Sequence, residues 1–145
     1  TLKESQLNDF KQKFETVVTE QMQLNTFEPE LEYDLEIQLS DISHQLKKFI
    51  DKLEPFGPQN MTPTFICKSV LGTPNCRSVG QDKSHLKLEI TSADHQSKIS
   101  GIAFGYGHLA NDIQNGRAFD IAFSMDINYW NNTETLQLMV KDIKF

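Results

Sequence analysis

Leu53-Glu54-Pro55-Phe56-Gly57-Pro58-Gln59-Asn60-Met61-Thr62-Pro63 divides this 145-residue chain into two kinds of pattern. Apolar residues at helical spacing run up to it, and strand alternation follows it to the end. Three of the five prolines fall inside it. Proline lacks a backbone donor and pushes its predecessor out of the helical region, so the stretch reads as a rigid, extended connector. On composition alone an ordinary loop between a helix and a strand is the favoured reading.

Before it, Glu4 to Met22 reads as an amphipathic helix. Ser5 is the expected cap, and Leu7, Phe10, Phe14, Val17 and Val18 form one stripe to dock on a core. Phe27-Glu28-Pro29 breaks the pattern. Leu31, Tyr33, Leu35, Ile37 and Leu39 then alternate with Glu32, Asp34, Glu36 and Gln38, as in a half-buried strand with an acidic outer face. Alternation sets those carboxylates in a row, which suits solvent better than a metal ion. Ser40 is the expected N-cap of a second helix, with Asp41 in its first turn. Ile42, Leu46, Phe49, Ile50 and Leu53 form its stripe. Lys47, Lys48 and Lys52 lie toward its end, which Pro55 marks.

After it come five strand-like stretches. Phe65 to Leu71 and Cys76 to Val79 read as one long bent strand around the turn Gly72-Thr73-Pro74-Asn75. His85 to Thr91 turns Leu86, Leu88 and Ile90 to one side. Lys98 to Phe104 is the third strand, and Tyr106 to Gln114 a short helix ending at Gly116. Phe119 to Asn128 is the fourth strand and Thr135 to Ile143 the fifth, with Leu136, Leu138 and Val140 on one face. Three strands, a helix and two strands is the order of an OB-fold, a five-stranded Greek-key barrel. An SH3-like barrel or a small sandwich has a similar order. The expected fold is thus mainly β: a five-stranded OB-fold barrel preceded by a small α/β helix-strand-helix appendage.

A chain this long buries roughly 68% of its unfolded surface, enough for a core. The formal charge of -6 is uneven. Up to Pro55 there are six lysines and twelve carboxylates, whereas Phe56 onward has eight cations and eight carboxylates. An acidic chain attracts nucleic acid poorly, so any such surface must be a local patch in the neutral half. Cys67 and Cys76 lack metal-ligand spacing and read as reduced core residues of a cytoplasmic protein. No apolar run approaches the ~18 residues of a membrane span, and no membrane partner is expected. The opening Thr1-Leu2 resembles the tail of a strand, so a fragment of something longer is expected.

Several runs carry a resemblance. Leu-Glu-Pro-Phe-Gly-x-x-Asn-x-x-Pro-x-Phe, from Leu53 to Phe65, resembles the joint before the OB domain of the RecJ family, single-strand-specific exonucleases among the DHH phosphoesterases. That family usually has glycine at Gln59 and proline at Met61. Val79-Gly80-Gln81-Asp82-Lys83-Ser84-His85-Leu86-Lys87-Leu88 resembles a RecJ run with lysine in place of Gln81. Ile102-Ala103-Phe104-Gly105, Asn128-x-Trp130-Asn131, Leu136-Gln137-Leu138 and Asp142-Ile143 are similar to its later strands. Leu7, Phe10 and Phe14 resemble a helix at the end of the DHHA1 domain. The resemblance implies residues 1–55 as the end of a DHHA1-like domain, 56–63 as the joint and 64–145 as the OB-fold domain.

It also implies a portion of a 5'-to-3' single-stranded-DNA exonuclease of DNA repair and recombination, whose manganese or magnesium is held by motifs absent from this chain. His44, His85, His95 and His108 are scattered over different elements, and no nucleophile triad or phosphate loop is visible. No catalytic residue, metal ligand or cofactor is expected here, and the chain alone should be inactive. Binding a single strand needs cations for phosphates and flat groups for bases. The candidates are Arg77, His85, Lys87, Tyr129 and Trp130, the last two in the expected fourth-fifth loop. Trp130 reads equally as a plug of the barrel. Phe65, Phe104, Phe119 and Phe123 are expected core. The partner that the resemblance implies is single-stranded DNA. The alternatives are a module that docks a single-strand-binding protein or a helicase, or a brace with no DNA contact.

Overall fold

The computed structural model describes residues 3–22, 30–130 and 132–145, without the side chains of Met22 and Trp130. The breaker expected at Phe27-Glu28-Pro29 and the opening Thr1-Leu2 lie outside the described residues. The chain divides into two compact units, Thr1–Leu31 and Glu32–Phe145.

The first unit holds helix α1, Leu7–Met22. Ser5 does not cap it but sits within a 3-10 turn, Glu4–Gln6, that leads into it. The stripe is formed as spaced, with the Phe10 and Phe14 rings stacked at 5.8 Å. Leu7, Phe10, Phe14 and Val17 are exposed within this unit.

The second unit is a barrel. Its strands are β2 (Phe65–Gly72), β3 (Arg77–Val79), β4 (His85–Thr91), β5 (Lys98–Ala103), β6 (Phe119–Trp130) and β7 (Thr133–Lys144). β2 pairs with β6, β6 with β7, β7 with β5 in parallel, β5 with β4, and β4 back to β2 and β3. The ring closes, and it is that of an OB-fold. β2 and β3 act as the single bent strand that the sequence suggests. Leu71 and Gly72 face Thr91 and Ile90, while Arg77, Ser78 and Val79 face Lys87, Leu86 and His85. Pro74 and Asn75 bulge out between the two runs, and the strand turns the barrel's corner there.

Leu86, Leu88, Ile90, Leu138 and Val140 point inward as the alternation requires, and Leu136 is half-buried against them. Each fully buried Leu or Ile stabilises by roughly 1.5–3 kcal/mol. Helix α3 (Ala110–Gln114), entered through a 3-10 turn at Gly107–Leu109, closes one end with the buried Ile113. That approach needs Gly72, where a Cβ would stand 2.1 Å from Ile113 Cγ2.

The segment before the barrel departs from expectation. The strand expected over 31–39 shortens to β1, Leu35–Glu36, parallel to β2. Asp34 ties it down: its N–H donates to Thr64 O and its carboxylate accepts from Thr64 N–H, both at 2.8 Å. Glu36 pairs with Lys68 at 2.7 Å. Leu31, Tyr33 and Leu35 are exposed, and only Ile37 and Leu39 enter the core. Helix α2 runs His44–Asp51 and is capped by Ser43, whose Oγ accepts from Leu46 N–H at 3.2 Å. Ser40 is not the cap because Leu39–Asp41 tightens into a 3-10 turn, closed by Gln38 N–H donating to Asp41. Ile50 is buried and Ile42 and Leu46 pack on the core, while Phe49 and Leu53 stay exposed.

The joint is folded, not extended. Gly57 and Asn60 exchange two backbone hydrogen bonds of 2.9 Å. Asn60 Nδ2 donates to Leu53 O at 2.8 Å and to Pro55 O at 2.9 Å. Pro58 presets one corner of this turn, and Gln59 takes a left-handed φ of 71° at the other.

Candidate nucleic-acid interface

Because successive residues of a strand face opposite ways, burying Leu86, Leu88 and Ile90 sends His85, Lys87 and Glu89 outward. Arg77 lies directly opposite Lys87, and Val79 opposite His85. Across β5 the partner of Lys87 is Ile102, which in turn neighbours Met139 of β7. One row of the outer face therefore reads Arg77, Lys87, Ile102, Met139. Arg77 and Lys87 are exposed, and Ile102 and Met139 are half-buried.

The next position along the same face holds His85 and Phe104. Phe104 is not core: it is 57% exposed. Its ring meets that of His85 edge-on, with centroids 5.0 Å apart and an interplanar angle of 75°. His85 Nδ1 accepts from Gly105 N–H at 3.3 Å and lies 3.1 Å from Ser84 Oγ. An accepting Nδ1 places the proton of the neutral ring on Nε2. Phe104 follows the parity of β5 once the pairing has fixed which side is inward. Gly101 and Ala103 are buried, so the large Ile102 and Phe104 alternate to the other side.

Beside these rows lies a cleft of about 530 Å³. Lys87, Glu89, Lys98 and Ser100 form its floor, Ser43 and His44 at the start of α2 one wall, and the β6–β7 hairpin another. The floor mixes signs. Glu89 Oε1 accepts from Thr73 Oγ1 at 2.8 Å and Asn75 Nδ2 at 3.0 Å. Those bonds, Thr73 first, hold its carboxyl below the usual carboxylate range. Glu134 adds a second carboxylate on the hairpin side.

Arg77, His85 and Lys87 are thus brought together on one face. Tyr129 and Trp130 are not in a loop. Both belong to the ladder of β6, paired with Glu134 and Thr133, so the expected fourth-fifth loop is replaced by a long two-stranded ribbon. Tyr129 is 70% exposed opposite a residue of the cleft. The Trp130 side chain lies outside the described residues. Cys67 and Cys76 are free and buried. Burial pushes the Cys67 thiol up to about 12, with Asp41 and Glu36 adding to it, and burial also raises Cys76. Neither is a nucleophile in this state. Among the described residues no three His, Cys, Asp or Glu side chains are grouped to hold a metal ion. Nor is any described helix long and apolar enough to cross a membrane.

Comparison with known proteins agrees with this barrel. The chain is 29% identical over 142 residues to the single-stranded-DNA-specific exonuclease RecJ of Bacillus subtilis, a match that covers 98% of the chain and 18% of that protein. It is 24% identical over 143 residues to RecJ of Salmonella typhimurium, covering 99% of the chain and 24% of that protein. The chain therefore spans about a fifth of the length of these relatives. The crystal structure of RecJ in complex with Mn2+ from Thermus thermophilus matches the whole chain and 20% of its own, with a TM-score of 0.72 at 18% identity, a likeness of fold. A family profile described as the RecJ OB domain matches residues 33–142. With barrel, strand order and profile in agreement, the chain belongs to the RecJ OB domain family.

Proposed function

We propose that this barrel holds single-stranded DNA for a RecJ-type 5'-to-3' exonuclease of DNA repair and recombination. The observation that carries this reading is the Arg77–Lys87 pair on the outer face of β3 and β4. Lys87 lines the cleft floor, and His85 stands two residues along the same strand. Two cations on one sheet face meet a phosphate backbone, and a neighbouring flat ring meets bases. Tyr129 and Trp130 of the ribbon belong to the same proposal. The manganese or magnesium chemistry belongs to a catalytic domain beyond this chain, and residues 1–55 are proposed as the end of a DHHA1-like domain. Eight cations against eight carboxylates from Phe56 onward leave few phosphate contacts, so binding by this chain alone is weak.

Titration of a labelled dT oligonucleotide at low salt, followed by anisotropy, tests the reading. Saturable binding that weakens with salt and with Lys87→Ala supports it. Absence of binding, or binding indifferent to salt and to both Arg77→Ala and Lys87→Ala, overturns it.

The mixed charge of the cleft favours a second reading. Glu89 and Glu134 beside Lys87 and Lys98 suit a peptide of both signs better than a polyanion. On that reading the barrel docks a single-strand-binding protein or a helicase. Retention of such a partner by the barrel, together with failure of the oligonucleotide titration, marks this outcome.

A further inference from the structure

Phe104 has no packing role that explains its place. It follows β5, whose inward residues at this end, Gly101 and Ala103, are small and buried. Its own ring is 57% exposed. Replacing it with a polar residue would relieve that exposure at no visible cost to the core, because the interior beneath is already filled by Leu86 and Leu138.

The ring is nonetheless held. Its contact with His85 is edge-on, with centroids 5.0 Å apart, and more than half of the residue stays exposed. His85 is itself fixed by Gly105 N–H and Ser84 Oγ. Gly105 turns the chain with a φ of +84°, and a Cβ built on it would meet nothing within 4 Å. An aromatic ring that is more than half exposed and held by a neighbouring ring is a stacking surface for another flat group.

The charged row lies one step away. Two residues along a strand span roughly 6.6 Å, which separates the His85–Phe104 position from Arg77 and Lys87. Resting on the nucleic-acid reading above, we propose that Phe104 is the base-stacking platform of this face and that His85 is its positioning residue. Arg77 and Lys87, side by side in the neighbouring row, take the adjoining phosphate backbone. The ligand is a single strand of any sequence, because every base has a π-face and a duplex hides it.

The test measures binding of a labelled dT oligonucleotide to the chain and to Phe104→Leu, Phe104→Trp and Lys87→Ala. Loss of one platform is expected to weaken binding about 5- to 150-fold in Phe104→Leu, with the salt dependence unchanged. Phe104→Trp is expected to retain it. Lys87→Ala is expected to reduce the salt dependence instead. Circular dichroism checks that the variants remain folded. Ultraviolet cross-linking of the unaltered chain to the oligonucleotide, read by mass spectrometry, should place the base on Phe104. Binding that depends on Lys87 but is equal in Phe104→Leu, or a cross-link mapped elsewhere, overturns this inference and leaves the general reading standing. No binding by the unaltered chain sinks both.

Discussion

Arg77 and Lys87 stand directly opposite each other across β3 and β4, both exposed. Like charges so placed destabilise a sheet, by roughly 0.2–1 kcal/mol on the scale of cross-strand pairs. Arg77 Nη1 donates to Asn75 O at 3.3 Å, an exposed contact that offsets part of the repulsion, whereas an anion between the two cations removes it.

Arg77→Ala should therefore leave stability unchanged or raise it by a few tenths of a kcal/mol, roughly the low end of that range. The same substitution should lower the slope of log affinity against log salt by about 0.7 for a single strand. Thermal melting and a salt titration of oligonucleotide binding check the two halves separately. A marked loss of stability would show that Arg77 serves the fold.

Gln59 holds a φ of 71° in the turn of the joint. A left-handed side chain costs roughly 1–2 kcal/mol, and glycine's extra freedom in the unfolded chain returns part of that. Gln59→Gly should stabilise by about 0.5–1 kcal/mol, read from the urea midpoint. It also restores the residue usual in the RecJ family at this point.

Gly107 sits against the backbone of the turn before β4. A Cβ there would lie 2.0 Å from Lys83 O and 2.8 Å from Ser84 C. Backbone cannot rotate aside as a side chain can, so Gly107→Ala should cost more than Gly72→Ala, whose clash is with Ile113 Cγ2. Overpacking of this kind destabilises by roughly 1–3 kcal/mol. Because Gly107 N–H also donates to Ser84 O at 2.9 Å, the substitution should disturb His85 as well. Denaturant melts of the two variants give the order.

Cys67 carries a thiol raised from 9.0 to about 12 by burial first and by Asp41 and Glu36 next. The unfolded chain therefore loses this proton before the folded one does. Its contribution to stability is complete below pH 9.0 and is lost as pH rises toward about 12. Alkaline melts of Cys67→Ala should decline less steeply through that window than those of the unaltered chain. A thiol reagent at neutral pH should label neither cysteine until the chain unfolds. Rapid labelling of the folded chain would contradict the burial of both.

Much of the barrel was legible because alternation is a local property. His85 to Thr91 declares its inner and outer faces by residue type alone, and the structure follows it at Leu86, Leu88 and Ile90. The same property fails where a strand is apolar on both sides, as at Ile102-Ala103-Phe104. Only pairing with β4 and β7 decides which of these residues faces out. Leu31 to Leu39 alternates well, yet only Leu35 and Glu36 find a partner strand. Alternation describes a strand's faces but does not supply its neighbour.

By itself the sequence determined the element order, the inward residues of β4 and β7, and the cations and rings available to a nucleic-acid surface. Those depend on side-chain type and on spacing along the chain. The tertiary structure alone decided that Arg77 faces Lys87, that Phe104 joins His85 outside the core, and that the hairpin bounds a cleft with α2. These are relations between residues distant in sequence. They follow from the register in which the barrel closes, where a slip of one residue would turn every side chain to the opposite face.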